Sequence, residues 1–359
     1  MTAGPDTAYR PAPTAALDAF GTVLLPPRRP AAAAVPAAAL PVLPAPAPAP
    51  QTAPAVPAPP PAAFSTHPPV PRPGAEQRRG VLDVLRTGER RGREQLRLIR
   101  SPLHGSCRIA VISARSGVGR TSVMLSLGAM LATERGEPVA AVETGTDPHS
   151  LGRRVRSAAA AGVAEFAAAL RAGGPAAVDP GPYLSRTPSG LAVLAGPSSP
   201  GAGRGLDDTD YRAVLAALAE RYPITLTDSG PGSGSDSGPG VLDLADQLVL
   251  ATTPSVDGAS SSAATLDWLH AHGYGELAER CVIAISAVRG AGRPVNSADL
   301  RSYFGARCRG VVELPFDEHL ATAAAFEPGR LGHRTRRAVR ELAALIGADL
   351  WRAGRPTGW

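Results

Sequence analysis

RIAVISARSGVGRTS, residues 108 to 122, carries three different instructions in fifteen positions. Ile109, Ala110, Val111 and Ile112 follow one another without a polar break, the composition of a strand buried on both faces. Ser113 to Gly119 is a run of small residues interrupted by Arg115 and Val118, and from Arg120 the pattern is that of a helix, expected near 121 to 135. A strand, a small-residue loop and a helix start bring several backbone N–H groups around one point, where the helix dipole also favours negative charge. That geometry cradles a phosphate group.

The same alternation continues outward from this stretch. Further apolar runs occur at PVAAVE (138–143), GLAVL (190–194), PITLTD (223–228), QLVLAT (247–252), CVIAIS (281–286) and GVVEL (310–314). Between them, helical patterns are expected near 163–172, 207–221, 257–272 and 296–304, with a last one near 331–351. Continuously apolar strands alternating with helices predict an α/β fold, a mostly parallel sheet flanked by helices, with ligands at the carboxyl ends of the strands.

Against the phosphate-binding pattern G-x-x-x-x-G-K-[ST], Ala114 stands for the first glycine and Arg120 for the lysine, while Gly117, Gly119 and Thr121 are in place. PITLTD ends in Asp228 and runs into SGPGSGSDSGPG (229–240), an acid at a strand end before a glycine-rich segment. Such an acid holds Mg²⁺ through water beside the Thr121 hydroxyl. A turn-forming Asp before Ser-Gly is the plain alternative for Asp228.

ARSGVGRTS resembles the deviant Walker A loop of the MinD/ParA family, x-K-G-G-V-G-K-[ST]-[ST]. PVAAVETGTDPHSLGRRV is similar to the family's switch I stretch, and PITLTDSGPG to its Walker B and switch II. ADQLVLATTPSVDGASSSAATLDWL is similar to the strand and helix that follow, and ELPFDEHL to its late proline-containing loop, so the resemblance covers about residues 100 to 352. The nearest flavour is actinobacterial, with a proline/alanine-rich N-terminal tail and an association with type VII secretion. The resemblance implies a P-loop NTPase-type sheet, ATP and Mg²⁺ as ligands, and a nucleotide-dependent homodimer acting on a protein partner. It places Gly117, Val118, Gly119, Arg120, Thr121 and Ser122 on the phosphates, Thr121 and Asp228 on the metal, and Ser286 and Pro315 to Asp317 near the base. Arg115 and Arg120 fall where the family carries its two catalytic lysines. Glu143 falls where switch I begins with Asp, and the second acidic position of that switch falls on Gly145 or, with a shift, on Asp147. Arginine keeps the charge, but its planar fork meets phosphate differently from an ammonium group. ATP hydrolysis is therefore expected to be weakened or lost while binding survives. A degenerate, non-hydrolysing scaffold acting through the tail and arm is the alternative, and a DNA-tethering partition protein is disfavoured by charge.

That charge is distributed unevenly. All 37 basic residues are arginines, so arginine at lysine positions follows a chain-wide bias. The net charge of +6 belongs to the N-terminal hundred residues, because residues 101–359 carry 25 groups of each sign. The domain surface therefore gives no general grip on nucleic acid. Residues 1–75, with 21 of the 38 prolines by residue 73, read as a disordered Pro/Ala-rich tail, either a spacer or a docking strand for a reader of proline-rich segments. Residues 76–105 read as a basic arm, either a linker helix packed on the domain or, through 78–100, a peripheral contact with membrane or DNA. Residues 106–352 are the nucleotide-binding domain and 353–359 a flexible C-terminus. The final helix, with Val339, Leu342, Leu345, Ile346 and Leu350 on one face, either packs on the sheet or lies on a membrane. Prolines break the apolar segment 31–50 too often for a membrane span, Asp6 and Asp18 argue against a signal sequence, and a cytoplasmic protein, at most peripheral at the membrane, is expected. Cys107, Cys281 and Cys308 have neither disulfide nor zinc spacing.

Overall fold

The computed structural model describes residues 76–359 except 146–150, 156–158, 160, 175, 177, 197–205, 230–237, 290–294, 323–324 and 351–359, with backbone alone for 76–87 and 238–239. The Pro/Ala tail, Asp147 and most of the glycine-rich segment after Asp228 lie outside the described residues. The described residues divide into two compact units, one within 90–350 and one within 76–89. Residues 76–89 are helical.

In chain order the elements are α1 (Glu76–Ile99), β1 (Cys107–Ile112), α2 (Arg120–Arg135), β2 (Val139–Glu143), α3 (Leu151–Val155), α4 (Val163–Gly173), β3 (Ser185–Arg186), β4 (Ala192–Leu194), α5 (Asp208–Ala219) and β5 (Ile224–Asp228). There follow α6 (Gly238–Leu244), β6 (Gln247–Thr252), α7 (Val256–Ala271), α8 (Gly275–Glu279), β7 (Val282–Ser286), α9 (Ser297–Gly305), β8 (Gly310–Leu314), α10 (Glu318–Ala321) and α11 (His333–Gly347). Among the described residues eight strands form one sheet, in the order β3-β4-β2-β5-β1-β6-β7-β8. The β3–β4 pair is antiparallel and every other pair is parallel, so the expected mostly parallel α/β class holds.

Each apolar run found in the sequence is a strand, and its alternation divides the core. On β6, Val249 and Ala251 face one cluster with α2, α11 and Ile99 of α1, whereas Leu248 and Leu250 face the other with α5 and α7. Both sets are buried, which is why no polar alternation marks these strands. The short antiparallel β3 and the helices α3, α6, α8 and α10 were not anticipated. Each has two to seven residues, too few for periodicity to register.

The final helix packs on the sheet: Val339, Leu342, Ala343 and Ile346 are buried, while Arg334, Arg336 and Arg337 are exposed. The end of α1 is likewise part of this core through Ile99. Arg135 fastens it by donating from Nη1 to the carbonyls of Ile99 (2.5 Å) and Ser101 (2.8 Å). Arg90, Arg93 and Arg97 of the same helix remain exposed. No helix among the described residues is long and apolar enough to cross a membrane.

Candidate functional site

β1 sits at the centre of the sheet, between β5 and β6, and its carboxyl end feeds the loop from Ser113 to Gly119. Gly117 and Gly119 have φ of 74° and 87°, left-handed values that glycine adopts without a Cβ clash. Gly119 immediately precedes α2, whose first N–H groups have no intrahelical partners. The loop also passes close to the end of β7, where a Cβ on Gly119 would lie 2.7 Å from Ser286 Oγ. Gly119→Ala is therefore expected to cost about 1–3 kcal/mol, from the left-handed backbone and the overpacking together, and to distort the loop. Thermal denaturation of the two proteins, read by circular dichroism, checks the stability loss.

A cavity of about 730 Å³ opens over this loop, within the range of small-ligand sites. Arg115, Ser116, Gly117, Gly119, Arg120, Thr121 and Ser122 line one side, and Ser286 and Pro315 line another. The fold thus brings together most of the residues singled out from sequence; Val118 is buried beneath the loop. Arg115 is exposed.

Asp228, at the end of β5, is buried under the loop. Its Oδ2 accepts the Thr121 hydroxyl at 2.7 Å, and its Oδ1 accepts Arg120 Nε. Arg120 is also buried and reaches Ser113 Oγ from Nη1 at 3.4 Å. The guanidinium that stands at the phosphate-clasping position is thus turned down onto the acid at the end of β5. Glu143 is buried at the end of β2, opposite Asp228 in register. Its two oxygens accept backbone N–H groups, Leu151 at 2.9 Å and Gly196 at 2.8 Å. Glu143 therefore ties the segment after β2 to the segment after β4, a role that its sequence position did not reveal.

Sequence reasoning missed Arg153 and Arg154, which α3 delivers to the cavity wall opposite the loop, and Arg289, which follows β7. Arg154 donates from Nη1 to the Leu320 carbonyl at 3.3 Å, while its Nε and Nη2 are buried without a partner among the described residues. Burial pushes its pKa down from the ordinary arginine value. The paired arginines in LGRRV were visible in the sequence, but nothing local said which way they face. Arg289 lies over the Phe316 ring at 4.9 Å, and Phe316 is partly exposed beside Pro315.

Between the lining residues Asp317 and Leu320, His319 Nε2 accepts the Glu327 N–H at 2.8 Å, which requires the neutral ring. Burial, together with nearby Arg330, lowers its pKa below the ordinary 6.5. A depressed folded pKa means that the unfolded chain takes up the proton first as pH falls. The stability is present above 6.5 and is lost as pH falls through the folded value. About 1 kcal/mol, the worth of one hydrogen bond, should disappear on that acid limb. His319→Gln, whose amide oxygen can accept the same N–H, should flatten this part of the pH–stability curve measured by urea unfolding.

The expected metal donors are present but engaged. The Asp228 carboxylate already accepts from Arg120 and Thr121, so as folded these residues do not fit a divalent cation beside Thr121. No group of three or more His, Cys, Asp or Glu able to hold a metal occurs among the described residues.

No family model matches the chain. The ESX-1 secretion-associated protein EspI of Mycobacterium tuberculosis, in strains CDC 1551 and H37Rv, is 30% identical over 269 residues, or 72% of this chain. The match spans 39% of the length of those relatives. Among solved structures, a ParA family ATPase from Chlorobium tepidum superposes with a TM-score of 0.53 at 17% identity, covering 67% of this chain and 98% of that one. The MinD cell division ATPase of Pyrococcus furiosus gives 0.49 at 16% identity, covering 67% and 98%. The ParA superposition bears out, at the level of the fold, the resemblance read from the loop, and the secretion flavour is matched by a secretion-associated relative.

Proposed function

We propose, for a chain whose fold is that of the ParA-type P-loop ATPases, that it binds ATP in the cavity over residues 113–122 and that its nucleotide state controls dimerisation and the positioning or secretion of a protein partner. The observation that carries this reading is the loop itself. Two left-handed glycines and the start of α2 face a cavity walled by arginines, at the central strand of a parallel sheet. Such a site recognises phosphate by backbone N–H groups and charge. The adjoining wall at Ser286, Ala287, Val288 and Pro315 offers room for a base.

Turnover is weak in this reading. Hydrolysis needs charge placed on a loose transition state and a positioned water. Arg120 is held by Asp228, and Glu143 is committed to two backbone amides, so neither supplies those terms as folded. The secretion partner is suggested by the EspI relative, which is named as secretion-associated. Membrane or DNA contact, if made, falls on the exposed Arg90, Arg93 and Arg97 of α1.

The second reading is a scaffold that has lost nucleotide chemistry and acts through its tail and arm. The same Arg120–Asp228 pair favours it, because it fills the loop with an internal ion pair. Equilibrium dialysis with ATP, followed by phosphate-release assays on the full chain, separates the two. Saturable 1:1 binding with turnover below that of ordinary family members is the expected result, and absence of any nucleotide binding leaves the scaffold.

A further inference from the structure

Among the described residues, five arginines and one carboxylate line the cavity around the phosphate loop. Arg115, Arg120, Arg153, Arg154 and Arg289 line it, against Asp317. Three described acids near the loop are already committed, and the exposed Glu318 faces Arg289 at 3.8 Å. Asp228 accepts from Arg120 and Thr121. Glu143 accepts from the Leu151 and Gly196 N–H groups. Asp317 accepts from the His319 and Gly332 N–H groups at 3.0 and 2.9 Å. A hard divalent cation needs oxygen ligands of its own in addition to phosphate, and it meets here a guanidinium seated on Asp228, the acid that accepts the Thr121 hydroxyl.

Arg154 supplies the second half of the argument. Its backbone is fixed by the Phe326 N–H, which donates to the Arg154 carbonyl at 2.6 Å. Its guanidinium satisfies one nitrogen on the Leu320 carbonyl and leaves Nε and Nη2 buried and unsatisfied among the described residues. A buried donor without an acceptor is costly; Nε and Nη2 are closed to solvent, so a phosphate oxygen relieves that cost only once the Arg154 side chain turns into the cavity it lines, where a charge-assisted, fork-shaped contact forms.

We propose that the cavity takes nucleoside polyphosphate without a divalent cation: Arg120 occupies Asp228 in the place of a metal ion, and Arg154 supplies the guanidinium that meets the phosphate. This rests on the nucleotide reading above and specifies the form of the ligand: the metal-free polyphosphate. Arg154 is a ligand-contacting residue in this assignment. Arg120 both neutralises Asp228, which would otherwise repel the ligand, and keeps a metal off it.

The test measures ATP binding to the full chain by calorimetry, once with millimolar magnesium and once with excess EDTA. The dissociation constants are expected to agree within about tenfold. Arg154→Gln should weaken binding more than about tenfold in EDTA, with the thermal midpoint unchanged or raised, since a buried unpaired charge is removed. Arg120→Lys, whose point-like ammonium can leave Asp228 for phosphate, should make binding dependent on magnesium. Wild-type binding that is lost in EDTA and restored by magnesium overturns the inference while leaving the nucleotide reading intact. Full affinity in Arg154→Gln removes Arg154 from the assignment. No ATP binding under either condition overturns the nucleotide reading itself, and this inference with it.

Discussion

Asp228→Ala is expected to be less stable than the wild-type chain by about 3–5 kcal/mol, the cost of leaving one member of a buried ion pair without its partner. The side chains of Arg120 and Asp228 are 9% and 2% exposed. With the carboxylate gone, Arg120 keeps a 3.4 Å contact to Ser113 Oγ, far too little to hold a desolvated charge. The Thr121 hydroxyl loses its acceptor in the same step. Urea unfolding gives the loss directly. Joining Asp228→Leu to Arg120→Met should recover most of it, because an apolar pair of similar volume avoids both desolvation costs. The sign carries the meaning. An acid kept in place for a metal, with no internal cation on it, is a functional liability whose removal leaves stability unchanged or improved. An Asp228→Ala protein as stable as the wild type would mean that the pair does not form in the ligand-free chain.

The second large effect is expected far from the cavity. Gly347 lies at the end of α11 where it crosses the end of α1, and a Cβ there would lie 2.3 Å from the Leu98 carbonyl oxygen and 2.7 Å from Ile99 Cα. Alanine is the better helix former by about 1 kcal/mol, so on propensity the change should help. Packing decides against it. Both clashing atoms are backbone, and neither can rotate away, so overpacking at the upper end of the usual range, about 3 kcal/mol or more, outweighs the gain. A net loss of about 2–3 kcal/mol is expected, together with release of the α1 end that Arg135 otherwise holds by two carbonyls. Limited trypsin digestion should then cut after Arg97 or Arg100 in Gly347→Ala and not in the wild type. Equal resistance and equal stability would show that the two helices do not meet this closely.

The positions of the long strands and the loop after β1 were legible because they rest on local chemistry. A run such as QLVLAT is apolar throughout because both faces are buried, and the sequence matches β6 (Gln247–Thr252) residue for residue. Gly117 and Gly119 stand where the backbone turns left-handed, a requirement that acts on single residues. Short elements such as α3 and β3 carry no period, and they were found by the fold alone. The packing of α11 was half legible. Its apolar face was plain, but a face of that kind suits a sheet or a membrane equally, and the buried Val339, Leu342 and Ile346 settle which of the two it meets.

The charges at the candidate site behave differently. ARSGVGRTS and PITLTD announce a phosphate loop and an acid at a strand end, and from those residues the fold class and the place of the site follow by short-range rules of strand, turn and helix start. What the arginines and acids do there is a matter of pairing. Arg120 meets Asp228 across 108 positions of chain, Glu143 spends its oxygens on Leu151 and Gly196, and Arg154 arrives on a five-residue helix. A side chain's partner depends on which strand lies beside which, and the sheet order β2-β5-β1 that sets these neighbours forms through contacts remote in sequence. That a guanidinium lies on the carboxylate beside Thr121 was therefore decided by tertiary packing, because a buried carboxylate takes the charge that the fold places within reach.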